Sequence, residues 1–238
     1  VLQSRGLGDV YKRQEVERRA VRDSGEKQAA REVFLVDEPV AAAIGIDLDI
    51  SKPVGNVIVD IGGGTTEVAV ISLNGVVTKK AIKVAGDVMD HDIQNYFRNT
   101  HRLEIGDRTA EQIKISVGSA MRSRSKNILV KGRDLVSGIP KTIDVRSDEI
   151  RQALKDSVKR ILEVVKDALE STPPELSSDI IDRGILVAGG GAQLRGLDQV
   201  IREKTNVPCN VVEEPHLAIV KGCGKIIEDL EKYKHVLI

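Results

Sequence analysis

The stretch Asp60-Ile61-Gly62-Gly63-Gly64-Thr65-Thr66-Glu67 joins two segments that both have strand character, residues 57–61 and 65–73. It is not a Walker loop, because no G-x-x-x-x-G-K-[ST] pattern occurs, and the glycines lead into a strand where a Rossmann fingerprint requires a helix. In a glycine turn between strands, successive amides can point into one concavity, and positive φ angles are tolerated. The stretch predicts a phosphate-binding turn, with a tight hairpin and an Asp-capped turn as the alternative.

Polar residues near the glycines are candidates for chemistry. Asp60 ends the incoming strand, where it could hold Mg²⁺ directly or through water, and Thr65 or Thr66 could bond a phosphate oxygen or an attacking water. Glu38 opens a helix and is a candidate catalytic acid or base, although a helix N-terminal charge favoured by the macrodipole is the alternative. A second cluster, Gly189-Gly190-Gly191-Ala192-Gln193, ends an apolar strand and begins a helix. Such a junction favours ligand binding, with simple close packing as the alternative.

The composition excludes several classes of protein. Lys plus Arg and Asp plus Glu both number 36 in 238 residues, and aromatic residues make up 2%. A neutral chain with so few aromatic rings favours neither nucleic-acid nor anionic-lipid binding. The two cysteines form no C-x-x-C pair, and no apolar run approaches the roughly 18 residues of a membrane span. We expect a cytoplasmic protein with an aliphatic core and no nucleic-acid partner.

Strands and helices alternate along the chain, which indicates the α/β class. Asn74-Gly75 predicts a two-residue hairpin turn, and Thr109-Ala110-Glu111-Gln112 predicts a capping box at a helix start. An apolar stripe after Ser147 predicts one long helix that ends at Thr172-Pro173-Pro174. Other predicted elements are a strand-like run at 33–36, helices at 38–47, 194–204 and 217–233, and strands at 76–84, 128–131, 141–145, 185–188 and 208–212.

Four longer motifs occur in order: EPVAAAIG at 38–45, DIGGGTTEVAVISL at 60–73, TAEQIKISVGSA at 109–120 and TPPELSSDIIDRGILVAGGGAQLRGLD at 172–198. From about residue 15 onward this series resembles the bacterial actin MreB family, the rod-shape-determining members of the superfamily of actins, sugar kinases and heat-shock-chaperone ATPases. The resemblance implies an actin-like ATPase fold of two ribonuclease H-like lobes, with ATP and Mg²⁺ in the cleft. It also implies head-to-tail filaments at the inner face of the cell membrane, and envelope partners through which they direct cell-wall synthesis and rod shape.

The resemblance also implies roles for individual residues. Asp60 matches the magnesium-side acid, Glu38 the acid that orients or activates the hydrolytic water, and Thr65 a residue that helps to place that water. The implied nucleotide contacts are Gly62, Gly63, Gly64, Thr65 and Thr66 in the second phosphate loop, Glu111 and Lys114 on the nucleoside side, and Gly189, Gly190, Gly191, Ala192 and Gln193 in the adenosine loop.

The N-terminal part departs from the family pattern. Family members begin with a strand and a first phosphate loop of the form D-L-G-T-A-N-T, which this sequence lacks. We therefore expect a truncated chain in which the second lobe is essentially complete and the first is only partly present. The expected division is a foreign or disordered head at 1–14, a first-lobe remnant at 15–50 with 222–238, the second-lobe core at 51–87 with 152–221, and a small outer subdomain at 88–151.

These observations predict an ATP-binding and ATP-hydrolysing cytoskeletal protein that polymerises. Because half of the phosphate clamp is absent from the sequence as given, weak nucleotide binding and negligible hydrolysis are expected of this chain alone. The alternative is a non-catalytic actin-like scaffold that keeps its glycine loops for folding. A sugar kinase would need a substrate acid and a closing lobe, neither of which the sequence shows.

Overall fold

The computed structural model describes residues 16, 18–28, 30–122 and 126–238, so the predicted head at 1–14 lies outside the described residues. The fold is α/β, as predicted. Residues 18–27 are helical. The helices that follow are α1 (Glu38–Gly45), α2 (Gly86–Tyr96), α3 (Asp107–Val117), α4 (Ser147–Ala153), α5 (Lys155–Glu170), α6 (Pro174–Arg183), α7 (Leu197–Thr205), α8 (Ala218–Glu228) and α9 (Leu230–Tyr233). The strands are β1 (Asn56–Ile61), β2 (Thr66–Ser72), β3 (Gly75–Ile82), β4 (Leu103–Glu104), β5 (Asn127–Asp134), β6 (Pro140–Arg146), β7 (Ile185–Ala188) and β8 (Cys209–Val211).

Five strands form the central sheet in the order β3-β2-β1-β7-β8. The first three are antiparallel neighbours that follow one another along the chain, while β7 lies parallel to β1 and β8 parallel to β7. Because β1 and β7 are parallel, their carboxyl ends meet at one edge, where Asp60 pairs with Ala188. Both glycine clusters follow directly from these two strands and therefore lie at the same edge.

The central sheet separates two apolar cores. Val57, Val59 and Ile61 of β1 contribute to the larger core, which also contains residues of α2 to α7 and of the small sheet. Ile58, on the opposite face of the same strand, packs into a smaller core with α1 and α8. Because the strand is covered on both faces, it is buried at every position.

A second, three-stranded sheet has the order β4-β5-β6, and all its pairings are antiparallel. Val130 and Val145 on its inner face belong to the same core as β1. The small sheet and the central sheet thus share one continuous apolar core. Among the helices of the described ranges, none is both long enough and apolar enough to cross a membrane.

The turn between β2 and β3 differs from the prediction by one residue. Ser72 pairs with Gly75, so the loop residues are Leu73 and Asn74, with φ angles of 50° and 63°. The predicted Asn74-Gly75 turn was wrong by one residue, and a register shift between Val70 and Ile71 places an extra residue on β3 close to the turn. The residue types in a turn do not indicate where a β-bulge forms in the strands beside it.

The predicted capping box at Thr109 was also wrong. Helix α3 begins at Asp107 with Gly106 as its N-cap, and no side chain caps its start. Thr109 therefore lies inside the first turn. An acidic first residue, which the helix dipole favours, accounts for the earlier start.

Several other predicted helices and strands differ in extent from the observed ones, because the backbone is irregular at their ends or within them. The predicted long helix is divided at Leu154 into α4 and α5, although backbone hydrogen bonds continue across that residue. The predicted helix at 217–233 breaks at Asp229, and the strand-like run at 33–36 forms only a single bridge, from Val36 to Leu237. Helix α6 was not predicted, although Pro174 at its first position is a recognised start signal.

Candidate functional site

A cavity of about 410 Å³ lies beyond the carboxyl ends of β1 and β7. Its wall is formed by the first glycine loop, the start of α2, one face of α3 and the second glycine loop. Of the residues named from the sequence, the lining contains Gly62, Gly63, Glu111, Lys114, Gly190, Gly191 and Gln193. The lining residues that sequence reasoning missed are Gly86, Asp87, Met89, Asp90, Ile115, Gly118 and Leu194.

The first glycine loop is anchored from both sides. The Gly62 amide donates to the Thr65 carbonyl at 3.0 Å, and the carbonyls of Gly62 and Gly63 accept from the first amides of α2 at 3.1 and 2.8 Å. No described residue accepts a hydrogen bond from the amides of Gly63, Gly64 or Thr65. A turn with three amides left unpaired has the donors that an anion requires.

The glycines of this loop provide clearance around the backbone and do not adopt left-handed conformations. None of Gly62, Gly63 and Gly64 has a positive φ, so the expectation of left-handed backbone was wrong. A Cβ at Gly64 would meet open space, and one at Gly63 would touch only Asp87 at 3.4 Å. Their value is the unobstructed approach to the backbone.

Thr66 is placed differently from the other residues of the loop. It is fully buried, and its hydroxyl donates to the Val84 carbonyl at 2.7 Å. Its side chain therefore ties β2 to the chain segment before α2 and does not line the cavity. Gly64 and Thr65 also lie outside the lining.

The second glycine loop combines close packing with open space around part of its backbone. Gly189 has a φ of 84°, and Cβ atoms at Gly189 and Gly191 would lie 2.3 and 2.4 Å from atoms of Ile61. By contrast, a Cβ at Gly190 would meet nothing within 4 Å. The loop continues as a 3-10 turn, Gly190–Gln193, with Ala192 buried beneath it, so the helix predicted from residue 194 begins only at Leu197.

Glu111 and Lys114 face the cavity from α3, one turn apart. The Lys114 ammonium donates to Asp90 at 2.7 Å and to the Gly86 carbonyl at 2.9 Å, which places it beside the first glycine loop. Burial raises the pKa of Asp90, and the hydrogen bond from Lys114 opposes that rise. The cavity wall thus contains a partly buried ion pair.

Three carboxyl groups gather at the end of β1, outside the cavity lining. Burial, followed by repulsion from Glu38 and Glu67, raises the pKa of Asp60 to about 6. The pKa of Glu38 is also raised, by burial and by Glu67, while Lys79 opposes the shift. One buried oxygen of Asp60 has no hydrogen-bond donor within the described part of the chain.

Lys79 of β3 connects this cluster to the start of α1, and sequence reasoning missed it. Its ammonium lies 2.8 Å from Asp37, the residue before Glu38, and 3.0 Å from Glu67. A lysine on an alternating strand has no sequence signal that distinguishes it from a solvent-exposed one. Only the register of β3 on β2 brings it to the carboxylates.

Comparison with known proteins identifies close relatives. The family model of the MreB/Mbl protein matches residues 10–235. The cell shape-determining protein Mbl of Bacillus subtilis is 47% identical over 91% of the chain and 66% of its own length. The cell shape-determining protein MreB of Escherichia coli is 47% identical over 92% of the chain and 63% of its own length. The chain therefore spans about two thirds of the length of these relatives.

Solved structures agree with the sequence relatives. The crystal structure of MreB5 of Spiroplasma citri bound to AMPPNP superposes with a TM-score of 0.87 at 36% identity, and covers 92% of this chain and 66% of its own. The MamK double helical filament has a TM-score of 0.67 at 25% identity, over 81% of this chain and 59% of its own. The fold is that of the actin-like ATPases, and the chain belongs to the MreB/Mbl family.

Proposed function

We propose that the cavity is the ATP site of an actin-like cytoskeletal protein. The observation that carries the proposal is the arrangement of two glycine loops around one cavity of about 410 Å³, the first loop with three amides from which no described residue accepts a hydrogen bond. A volume in this range suits a nucleotide, and backbone amides supply donors for its phosphates. Support comes from MreB5, whose structures were solved with AMPPNP and with ADP.

The two glycine loops would bind different parts of the nucleotide. Amides of Gly63, Gly64 and Thr65 would bind the phosphates, while Gly190, Gly191 and Gln193 would hold the adenosine side. Glu111 lines the cavity with no partner from the described residues, so it remains available to a sugar hydroxyl. Gly189, Ala192 and Thr66 would act by shaping the two loops, since close packing or burial occupies them.

The chain also offers a site for Mg²⁺. The described residues contain no group of three or more His, Cys, Asp or Glu side chains arranged to hold a metal by themselves. The orphaned buried oxygen of Asp60 nevertheless suits a hard cation that takes its other ligands from water and phosphate. Bound there, Mg²⁺ would neutralise charge on the phosphates.

Glu38 would orient or deprotonate the attacking water, and Thr65 would help to place that water. The raised pKa of Glu38 makes this carboxylate a better proton acceptor than an exposed one. Asp37, Lys79 and Glu67 hold the start of α1 against β2. This arrangement supports a fixed position for Glu38.

At the cellular level we propose self-association into filaments at the inner face of the membrane, with envelope proteins as partners in cell-wall synthesis and rod shape. The names of the relatives, cell shape-determining proteins, support this role, and the MamK structure is a filament.

For the chain as given, we propose weak nucleotide binding with negligible turnover. Parts of both glycine loops line the cavity, while the carboxylates of Glu38, Asp60 and Glu67 lie behind the first loop with Lys79 as their cation. A terminal phosphate there meets more negative than positive charge.

The test is the Gly190→Ala variant, titrated with a fluorescent ATP analogue and Mg²⁺. The added methyl meets no protein atom within 4 Å, so the fold should be kept while ligand binding weakens about tenfold or more. Gly224→Ala, where a Cβ also meets open space, is the matched control on α8. Equal binding by both variants contradicts this site and favours the scaffold alternative.

The wild-type titration tests the proposed weakness separately. We expect a dissociation constant above about 10 µM and no magnesium-dependent phosphate release. Tight binding with turnover by the isolated chain would show that the described loops suffice for the ATP site.

A further inference from the structure

Helix α3 presents a carboxylate and an ammonium to the cavity, those of Glu111 and Lys114. They are three residues apart, a spacing at which a glutamate and a lysine attract each other on a helix surface. On an isolated helix these two side chains would therefore pair. Although both residues belong to the described part of the chain, they form no ion pair with each other, and the Lys114 ammonium lies 2.7 Å from Asp90 of α2.

The contact with α2 is stronger than a pair on the surface of α3 would be. The side chains of Lys114 and Asp90 are only 16% and 17% exposed, so water screens their attraction less than it screens an exposed pair. The same ammonium donates to the Gly86 carbonyl at 2.9 Å. Two acceptors at the start of α2 thus compete successfully with Glu111 for one ammonium.

The three carboxylates of the cavity wall share a single cation. Asp87, Asp90 and Glu111 belong to the described lining, and Lys114 is its only lysine or arginine. Burial raises the pKa of Asp90, and the charges of Glu111 and Asp87 raise it further, so the three carboxylates lie close enough to interact. The position of the ammonium therefore decides which carboxylate remains free.

Glu111 is the carboxylate that benefits. It is exposed in the cavity wall and has no hydrogen-bond or ion-pair partner among the residues that the structure describes. An ionised carboxylate has two acceptor oxygens and no donor, so it suits a ligand with two neighbouring hydroxyl groups. A paired Glu111 would have less acceptor capacity for such a ligand.

We infer that Asp90 is a positioning residue for recognition of the sugar. By holding the Lys114 ammonium on α2, it keeps the carboxylate of Glu111 free to accept hydrogen bonds from the ribose hydroxyls of a nucleotide. This inference rests on the ATP site proposed above and names the residue that controls its preference for the sugar. Without the charge of Asp90, the ammonium turns to Glu111 and the hydroxyls lose their acceptor.

The test compares ADP with 2′,3′-dideoxy-ADP, both with Mg²⁺, by isothermal titration calorimetry. The wild type should bind ADP about tenfold more tightly, because hydrogen bonds to a charged acceptor favour the ligand that has the hydroxyls. Asp90→Asn keeps the side-chain size and removes the charge. It should weaken ADP binding and leave dideoxy-ADP binding unchanged, so the ratio of the two affinities falls toward one. Asp90→Ala, which has no acceptor at all, should give the same result.

Asp107→Asn is the matched control. Asp107 also joins α3 to α2, since it accepts from the Gln94 amide at 2.8 Å, but it lies outside the cavity lining. Its loss removes a carboxylate contact between the same two helices without changing the partner of Lys114. The affinity ratio of this variant should equal that of the wild type.

Lys114→Met separates positioning from a purely structural role. Because this variant has no ammonium to capture Glu111, adding Asp90→Asn to it should leave the affinity ratio unchanged. A purely structural effect of Asp90 would weaken both ligands by the same factor in either background. The ratio would then stay at its wild-type value in every variant.

The outcomes distinguish the inference from the proposed function. A wild-type ratio in both Asp90→Asn and Asp90→Ala overturns the inference, and so does an equal fall of the ratio with and without Lys114. If the wild type binds ADP and dideoxy-ADP equally, Glu111 does not hold the sugar, and the inference is wrong while the ATP site stands. A wild-type chain that binds neither nucleotide overturns both.

Discussion

At the residue scale, Asp60 is a candidate cation ligand whose burial is expected to lower the free energy of unfolding. It is 2% exposed, one of its oxygens lacks a donor in the described part of the chain, and two further carboxyl groups lie nearby. Burial of a carboxylate without a donor is unfavourable unless a cation or a proton compensates it. A stability cost at this position is therefore expected whenever neither is bound.

We predict that Asp60→Asn stabilises the chain in magnesium-free buffer at pH 8 by about 1 kcal/mol, after allowance for solvent screening. The pKa of about 6 in the folded state lies above the ordinary value of 3.8 for an aspartate side chain. The folded state therefore binds the extra proton, and stability is lost as the pH rises from about 4 through 6. Urea unfolding at pH 5 and pH 8 should show a pH-dependent difference between the variant and the wild type. An equal difference at both pH values contradicts the assignment.

At the element scale, the contact between α1 and α8 depends on two glycines. A Cβ at Gly222 would lie 1.8 Å from the Ala41 carbonyl oxygen, and one at Gly45 would lie 1.9 Å from the Ala218 carbonyl oxygen. The Lys225 ammonium adds hydrogen bonds to the carbonyls of Ile44 and Gly45, at the end of α1. The helices can approach this closely only because neither position has a side chain.

We predict that Gly222→Ala destabilises the chain by about 2 kcal/mol or more, since the methyl forces the two helices apart. Gly224→Ala lies in the same helix with open space around its Cβ, and should be neutral or stabilising by about 0.5–1 kcal/mol. Thermal or urea unfolding of the pair provides the measurement. If both variants behave alike, helix propensity and not the helix contact decides the effect.

At the scale of the whole molecule, the cavity connects the central sheet to the helices that pack beneath the small sheet. Its lining combines Gly62 and Gly190, in the loops that follow β1 and β7, with Glu111 and Lys114 from α3. A ligand bound there would touch both parts. Helices α1 and α8 lie on the other face of the central sheet, in a separate core.

We predict that ADP with Mg²⁺ slows amide hydrogen exchange in α3 and in both glycine loops, and much less in α8. Ligand binding suppresses the openings that expose the contacted segments, while distant segments keep their own opening equilibria. Exchange measured by mass spectrometry with and without ADP provides the comparison. Equal slowing in α3 and α8 would show global stabilisation in place of a local contact.

The sequence by itself determined the fold class, most element positions and both glycine loops. Hydrophobic alternation specifies strands locally, and the four motifs from EPVAAAIG to the second glycine loop are long enough to identify the family. The same local information placed Glu111 and Lys114 one turn apart on a helix, and both line the cavity. It misplaced the turn at Leu73, the start of α3 and the break at Leu154, where register and packing override propensity.

Only the tertiary structure decided which residues share a site and which merely support it. It brought Lys79 to Asp37 and Glu67, placed Asp90 against Lys114, and buried Thr66 away from the cavity. It also showed that the first-loop glycines leave space without positive φ, whereas Gly189 requires it. The physical reason is that charge pairing, burial and steric clearance depend on atoms far apart in the chain, and a linear pattern does not contain those distances.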